Sequence, residues 1–107
     1  MKLCPLATLP DGAAREFEIE GEASAPSIFV VRQGDRIRGY VNRCPHRGTP
    51  LNWVPDHFLD REARHIVCAT HGAVFRVDDG ACLAGPCTGE SLERVQLEVR
   101  AEIVFLV

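Results

Sequence analysis

The sequence lacks long hydrophobic runs, long amphipathic periods and internal repeats. No apolar run approaches the roughly 18 residues that a bilayer-spanning helix needs, so we expect no membrane span. No stretch of ten or more residues has a clear apolar period of 3.6, which argues against a helical fold. The N-terminus, interrupted by Pro5 and Pro10, lacks the apolar core of a signal peptide and has no twin-arginine pair. The expected location is therefore the cytoplasm.

Motifs of several enzyme classes are also missing. There is no Ser-His-Asp arrangement, no phosphate-binding loop and no dinucleotide-binding glycine fingerprint. The 107 residues are enough for one domain of modest size and not for two. We therefore expect a single domain spanning residues 1–107.

Positive charge is scarce overall but concentrated in one segment. The net charge of −3 argues against a sequence-independent nucleic-acid binder. Residues 32–76 hold eight arginines and four acids (+4), whereas the rest of the chain holds four bases and eleven acids (−7). Such a bias is ordinarily a solvated surface, and the alternative is a docking site for an acidic partner.

Short strands account for most of the pattern that is present. Residues 16–20 alternate with period 2, which predicts that Phe17 and Ile19 face inward. Further strands are predicted at 27–32, 36–41, 65–68, 73–77, 81–83, 95–99 and 103–107. Two prolines indicate that residues 50–64 form a loop, with at most a helical turn near 58–63. Eight or so short strands predict an all-β sandwich or small barrel of antiparallel strands.

Two short segments each contain a cysteine, a histidine and a glycine. They are Cys44-Pro45-His46-Arg47-Gly48 and Cys68-Ala69-Thr70-His71-Gly72. In both, the cysteine ends a predicted strand and the histidine lies in the loop beyond it, so neighbouring hairpins can bring two thiolates and two imidazoles together. The glycine allows a positive φ and a close approach of the backbone to whatever the histidine binds. Two cysteines and two histidines fit a zinc ion as well as an iron–sulfur cluster.

In these segments the chain resembles a Rieske [2Fe–2S] protein of the small, ferredoxin-like kind. The family's ligand pattern is C-x-H followed at a distance by C-x₂-H. Four residues match it: Cys44, His46, Cys68 and His71. Gly85-Pro86-Cys87 stands where the family has a third, proline-containing loop over the cluster. The resemblance implies that the cysteines hold one iron and the histidines the other, in a cluster-binding subdomain of two hairpin loops over about residues 42–88.

The resemblance implies an electron carrier that passes one electron at a time between a flavin reductase and an oxygenase. It implies no nucleic-acid or membrane partner, and a monomer when the protein is isolated. The alternatives are the small Rieske subunit of a larger reductase, such as an NAD(P)H-dependent nitrite reductase, and a redox-sensing module. A terminal oxygenase is excluded, because it would need a further domain with a mononuclear iron site. The sequence identifies neither the electron donor and acceptor nor the final substrate.

Two departures from the respiratory members of the family indicate a low reduction potential. Those members carry an extra cysteine in each ligand loop, and the pair forms a disulfide; here Thr49 and Thr70 or their neighbours take those places. They also direct a serine and a tyrosine hydroxyl at the cluster sulfurs, where this chain has Ala73 and Phe75. Donors to sulfur stabilise the more negative reduced state, so their absence predicts a lower potential.

The five cysteines do not predict a disulfide framework. Their number is odd, no secretion signal precedes them, and a chain of 107 residues can bury a core without cross-links. The three cysteines outside the ligand pattern are expected to be thiols: Cys4, Cys82 and Cys87. Cys82 is expected to be a small core residue on a strand and Cys87 to line the cluster.

Four further residues lie between the two ligand segments or beside them. His57 and His65 lack the spacing of ligands and are expected to be ordinary surface or loop histidines. Trp53 and Phe58 are expected to pack the intervening segment onto the body of the protein. An exposed aromatic residue here would instead belong to a docking surface.

Overall fold

The fold is built from short antiparallel strands. The computed structural model describes residues 1–19, 26–45, 48–70 and 72–107. Its strands are β1 (Lys2–Pro5), β2 (Ala14–Phe17), β3 (Ile28–Gln33), β4 (Arg36–Val41), β5 (His65–Val67), β6 (Val74–Arg76), β7 (Cys82–Ala84), β8 (Arg94–Val95), β9 (Leu97–Arg100) and β10 (Ile103–Leu106). One turn of 3₁₀ helix, Leu6–Thr8, follows β1. The described ranges contain no helix that is long and apolar enough to cross a membrane.

The strands form three sheets in the described part of the chain. Their orders are β1-β10-β9, β2-β3-β4-β8 and β5-β6-β7. All of the paired strands run antiparallel. The prediction of an all-β, antiparallel fold is confirmed.

Strand β3 is buried on both of its faces and lies between two cores. Phe29 and Val31 pack in a core that also holds the predicted ligands Cys44 and Cys68. Val30, which points to the opposite face, packs in a second core under the first sheet. A strand that is apolar on both faces reads as a continuous hydrophobic run, as residues 28–31 do. The middle sheet therefore supports the ligand region on one side and the terminal strands on the other.

The strand predicted at residues 95–99 is two strands in different sheets. Val95 pairs with Gly39 in the middle sheet, whereas Leu97 pairs with Leu106 in the terminal sheet. The crossing chain passes directly over Gly39, where a Cβ atom would lie 2.7 Å from Val95 Cγ2 and 2.9 Å from Leu97 Cδ1. The period-2 pattern continues through the crossing, so it does not reveal the change of sheet.

Two local predictions also differ from the structure. The helical turn expected near residues 58–63 is a β-turn, in which the Ala63 N–H donates to Asp60 O at 2.9 Å. Leu59 just before it is extended and bridges Ile66, which leaves no room for helical geometry. The strand predicted at 16–20 ends at Phe17, and residue 20 lies outside the described ranges.

Candidate metal centre

The first ligand loop, residues 43–51, closes on its own backbone around Cys44. The Cys44 N–H donates to Thr49 O at 2.7 Å, and the Gly48 N–H donates to Cys44 O at 2.7 Å. Gly48 has φ +73°, in the left-handed region where glycine carries no steric penalty. These bonds close the loop around a buried cysteine, and its described residues 48–50 are exposed.

The second ligand loop, residues 68–73, repeats this arrangement. The Cys68 N–H donates to Ala73 O at 2.9 Å, and the Gly72 N–H donates to Cys68 O at 2.8 Å. Gly72 has φ +68°. In both loops, therefore, the bonds join the cysteine to the residues four and five positions later. The glycine four residues after each cysteine is the shared element, although the histidine lies two residues after Cys44 and three after Cys68.

The structure brings two of the four predicted ligands into one core. Cys44 and Cys68 are both completely buried and belong to the same group of packed residues. His46 and His71 lie outside the described residues, as does Arg47. Among the described residues no group of three or more histidine, cysteine, aspartate or glutamate side chains is gathered for a metal ion.

Two hydrogen bonds connect the second ligand loop to the chain before it, one to the first loop and one to the segment between the loops. The Ala69 N–H donates to the carbonyl of the buried Leu51 at 2.7 Å. Trp53 Nε1 donates to Thr70 Oγ1 at 3.1 Å. Thr70 is one of the positions at which the resemblance compares this chain with disulfide-bearing members. Here, a hydrogen bond from Trp53 reaches that position.

The segment between the ligand loops is anchored by Phe58 and not by Trp53. Phe58 is buried and stacks on Phe29, with ring centroids 4.2 Å apart and planes 7° from parallel. Its predicted packing is confirmed. Trp53 is 74% exposed, so the prediction that it packs onto the body is wrong. Its indole N–H reaches Thr70 instead, which holds the ring beside the second ligand loop.

Asn42, which was not predicted from the sequence as part of the site, positions the first ligand loop. It is only 3% exposed, and its Oδ1 accepts the Leu51 N–H at 2.8 Å. Its side-chain amide lies within reach of three acceptors: Glu16 Oε2 at 3.1 Å, Ser27 Oγ at 3.1 Å and Asn52 Oδ1 at 2.9 Å. The available signal was a polar residue directly after strand β4, two positions before Cys44.

The second ligand loop is supported by close packing. The covering loop, residues 85–90, contains the proline-bearing segment expected over the cluster. A Cβ atom on Gly85 would lie 2.8 Å from Ala73 Cα, so the two loops meet backbone to backbone. On the hairpin that carries the loop, the buried Tyr40 hydroxyl donates to Val77 O. Burial raises the pKa of Tyr40 to about 12, so the donor stays protonated at neutral pH.

Cys82 and Cys87 lie together in the core that holds the ligand cysteines. Cys82 is on β7 as expected, and Cys87 is in the covering loop. Their Sγ atoms are 2.7 Å apart. Burial, followed by the neighbouring Cys82 thiol, raises the pKa of Cys87 to about 12. Cys87 is therefore a protonated thiol at neutral pH.

His57 and His65 are the two histidines among the described residues, and neither is fully buried. His57 is exposed in the loop before Phe58. His65 begins β5, and its Nδ1 lies 3.1 Å from Asp60 Oδ2. The Asp60 carboxylate also accepts the Arg64 N–H, and this bond, followed by those from His65, lowers the pKa of Asp60. The His65–Asp60 pair closes the turn that precedes β5, at the opposite end of that strand from Cys68.

The chain matches a known family over most of its length. The Rieske [2Fe-2S] domain matches residues 1–100. No curated protein sequence gives a significant match.

Solved structures of redox proteins are similar to the whole chain. A chain in the complex of reduced oxygenase and oxidized ferredoxin of carbazole 1,9a-dioxygenase is 27% identical, with TM-score 0.80 and all of both chains covered. The carbazole 1,9a-dioxygenase ferredoxin of Nocardioides aromaticivorans IC177 is 24% identical, with TM-score 0.77, covering 100% of this chain and 95% of that one. A Sphingomonas yanoikuyae B1 ferredoxin is 22% identical, with TM-score 0.75, covering 99% of this chain and 95% of that one.

The residues present fit the cluster that the family binds. The two loops close identically around two buried cysteines, and each sequence segment supplies one histidine beyond its cysteine. The donor set alone also fits zinc, and the family match decides between the two. The chain belongs to the Rieske [2Fe–2S] domain family, and it is an electron carrier whose cofactor is a Rieske-type [2Fe–2S] cluster.

Proposed function

We propose that this chain is a ferredoxin that carries single electrons from a flavin reductase to an oxygenase, in the cytoplasm and as a monomer. The observation that carries the proposal is the full-length similarity, at 27% identity, to a chain crystallised in an oxygenase–ferredoxin complex. When bound, a Rieske cluster takes up and releases one electron. We further propose that Cys44, His46, Cys68 and His71 hold it in this chain.

The uncharged exposed residues of the two ligand loops, together with Trp53 from the segment between them, make up a candidate docking surface in the described part of the chain; the exposed Arg43 of the first loop is not part of it. We call it the cluster face. Its members are Gly48, Thr49, Pro50, Trp53, Ala69, Thr70 and Gly72. Small side chains let a partner approach the buried ligands closely. Trp53 is the largest exposed side chain there, and a tryptophan of this kind is a frequent anchor of protein interfaces.

The positive charge of residues 32–76 is partly neutralised in the fold. Three of its arginines pair with acids from beyond the segment: Arg36 with Asp78 at 2.8 Å, Arg43 with Glu93 at 3.1 Å and Arg76 with Asp79 at 3.0 Å. These pairs are exposed, so each contributes little to stability, but each also removes a free charge. Among the segment's arginines, Arg47 is the one we propose to guide docking, because it lies in the first ligand loop between His46 and Gly48.

The function is tested by mixing the reduced protein anaerobically with the oxidised oxygenase of its own source. Reoxidation is followed by the visible absorption of the cluster. We expect transfer that slows as salt rises past about 0.15 M, because exposed charges are then screened beyond about 8 Å. Arg47→Glu should slow transfer, whereas Arg64→Glu, at the far end of β5, should not. Trp53→Ala should weaken binding to the partner, so that a higher partner concentration is needed to reach the same transfer rate.

Two outcomes count against this proposal. No transfer to an oxygenase, together with co-purification in a large complex with a reductase, would assign the chain to a reductase as its subunit. A rate that is insensitive to salt and to Arg47→Glu would mean that the arginine bias is only a solvated surface.

A further inference from the structure

The strongest feature left unused by electron transfer is the pair of thiols formed by Cys82 and Cys87. Their Sγ atoms lie 2.7 Å apart, against about 2.05 Å for a disulfide bond. Neither cysteine belongs to the ligand pattern. Two sulfur atoms in contact are not required for packing, since an alanine or a valine would fill a small core position equally well.

The backbone holds the two thiols in this position. The Cys82 N–H donates to Glu90 O at 2.9 Å, and the Glu90 N–H donates to Cys87 O at 2.9 Å. Thr88 closes the turn between them, because its Oγ1 donates to Gly85 O at 2.8 Å. The covering loop is thus folded back onto β7, and a bond between the two sulfurs needs little movement of the chain.

We propose that Cys82 and Cys87 are a redox-active pair that closes to a disulfide beneath the covering loop. The inference concerns the chain alone and does not depend on which partners it serves. Because both thiols are buried, the oxidant has to be small, and we assign hydrogen peroxide to this role. Cys82 is 7% exposed and Cys87 only 1%, so peroxide reaches Cys82 first.

The reaction proceeds in two balanced steps. Cys82 Sγ attacks one peroxide oxygen and becomes a sulfenic acid, and the other oxygen leaves as water. Cys87 Sγ then attacks Cys82 Sγ, and the second oxygen leaves as water. Two thiols are oxidised by two electrons in total, and one peroxide is reduced to two molecules of water.

The disulfide would act on the second ligand loop through the covering loop. Gly85 rests against the backbone of Ala73, and Ala73 accepts the Cys68 N–H. Tying the covering loop to β7 restrains its opening, and an open covering loop exposes the ligand region to solvent. We therefore expect the protein with the Cys82–Cys87 disulfide to lose its cluster several-fold more slowly under mild denaturation than the protein in which both residues are thiols.

The pair is detected directly by peptide mapping of the cluster-loaded protein. The protein is treated with limiting hydrogen peroxide, unfolded, alkylated and digested with trypsin. Cleavage after Arg76 and Arg94 leaves Cys82 and Cys87 together on one peptide that contains no other cysteine. We expect this peptide to be lighter by two hydrogens and free of alkylation, with the visible absorption of the cluster retained. A dithiol reductant should restore two alkylated cysteines.

Matched variants test the assignment. Cys87→Ser should abolish the mass change and the slower loss of cluster, whereas Cys4→Ser, which removes another buried cysteine from the second core, should change neither. Two alkylated cysteines on the peptide at every peroxide dose that spares the cluster would overturn the proposal. So would a disulfide that appears only after the cluster has bleached, or one that joins either cysteine to Cys44 or Cys68.

Discussion

The two ligand loops have the same backbone closure and different supports. Each binds its cysteine to the residues four and five positions later, and each has a glycine with positive φ at the fourth position. The first loop is held by a polar network around the buried Asn42. The second is held by close packing against Gly85 and by one hydrogen bond from Tyr40 to its hairpin.

This difference follows from where each loop sits. The first loop lies beside an edge of the middle sheet, where Glu16 and Ser27 offer polar groups that must be paired. The second loop is fixed at Cys68 and Ala73, which lie in a core of apolar residues, and Ala73 packs against Gly85 of the covering loop. The same backbone closure is thus supported by paired polar groups in one loop and by close packing in the other. Substitutions should therefore damage the loops in different ways.

The largest effect is expected where the second loop meets the covering loop. Gly85→Ala would place a Cβ atom 2.8 Å from Ala73 Cα, so one backbone segment must move. Gly89→Ala is the matched control, because Gly89 has a similar φ of +96° but nothing within 4 Å of its Cβ position. We expect Gly85→Ala to cost about 1–3 kcal/mol more than the control. Thermal loss of visible absorption measures this, at roughly 4–8 °C per kcal/mol. Equal melting points would show that the covering loop does not support the second ligand loop.

The next effect is expected at the polar support of the first loop. Asn42→Ala leaves the buried Leu51 N–H without its acceptor, at a cost of about 1–3 kcal/mol. Asn52→Ala is the comparison within the same network, since Asn52 accepts from Asn42 and donates to Glu16 and Val54 but does not bond to Leu51. The rate of iron release to a chelator should rise more for Asn42→Ala than for Asn52→Ala. Similar rates in the two variants would mean that the bond from Leu51 to Asn42 does not hold the loop.

The next prediction concerns the reduction potential of the cluster and not the stability of the loops. Ala73 and Phe75 are fully buried at the positions where the family comparison places hydroxyl donors. We expect a potential near the lower end of the Rieske range, roughly −150 mV. Ala73→Ser and Phe75→Tyr should each raise it by several tens of millivolts, since about 59 mV is a tenfold change for one electron. Protein-film voltammetry measures this. A potential well above zero, or no upward shift in either variant, would contradict the low-potential assignment.

The smallest effect concerns the single tyrosine. Its folded pKa of about 12 lies above the model-peptide value of 10.0, because burial disfavours the charged form. Its contribution to stability is therefore complete below pH 10 and is lost as the pH rises through about 12. Tyr40→Phe should cost about 1 kcal/mol at neutral pH, because Val77 O loses a donor. The variant should also lack the loss of stability that ionisation of Tyr40 causes as the pH rises through about 12.

Ultraviolet absorption provides a direct measurement of this ionisation. The chain has one tyrosine, so tyrosinate absorption reports Tyr40 alone. The band should appear only well above pH 10 in the folded protein. Titration at pH 10 in the folded protein would show that the hydroxyl is not buried.

Elements with a local sequence signal were predictable. Strand β4 matches its prediction at residues 36–41 because a turn and alternating residues define it. Strand β1 was missed, since it is a short edge strand whose partner, β10, lies at the other end of the chain. The crossing at Gln96 was missed because the same period continues on both sides of it.

The residues of the candidate site could be predicted from the sequence, but their arrangement in space could not. The ligand pattern with its two glycines is local in sequence and therefore visible. The support by Asn42 and the exposure of Trp53 depend on partners 9 to 26 positions away. The contact between Cys82 and Cys87 spans only five residues, yet it depends on how the covering loop folds back. Composition gives no sign of such folding.

The central claim is that Cys44, Cys68 and two of the four histidines hold a [2Fe–2S] cluster. Metal analysis of histidine variants tests this claim most directly. We predict two iron and two acid-labile sulfide per chain in the wild type. The same content should persist in His57→Ala and His65→Ala, and His46→Ala and His71→Ala should lose it. One zinc per chain without visible absorption, or equal cluster content in all four variants, would contradict the account.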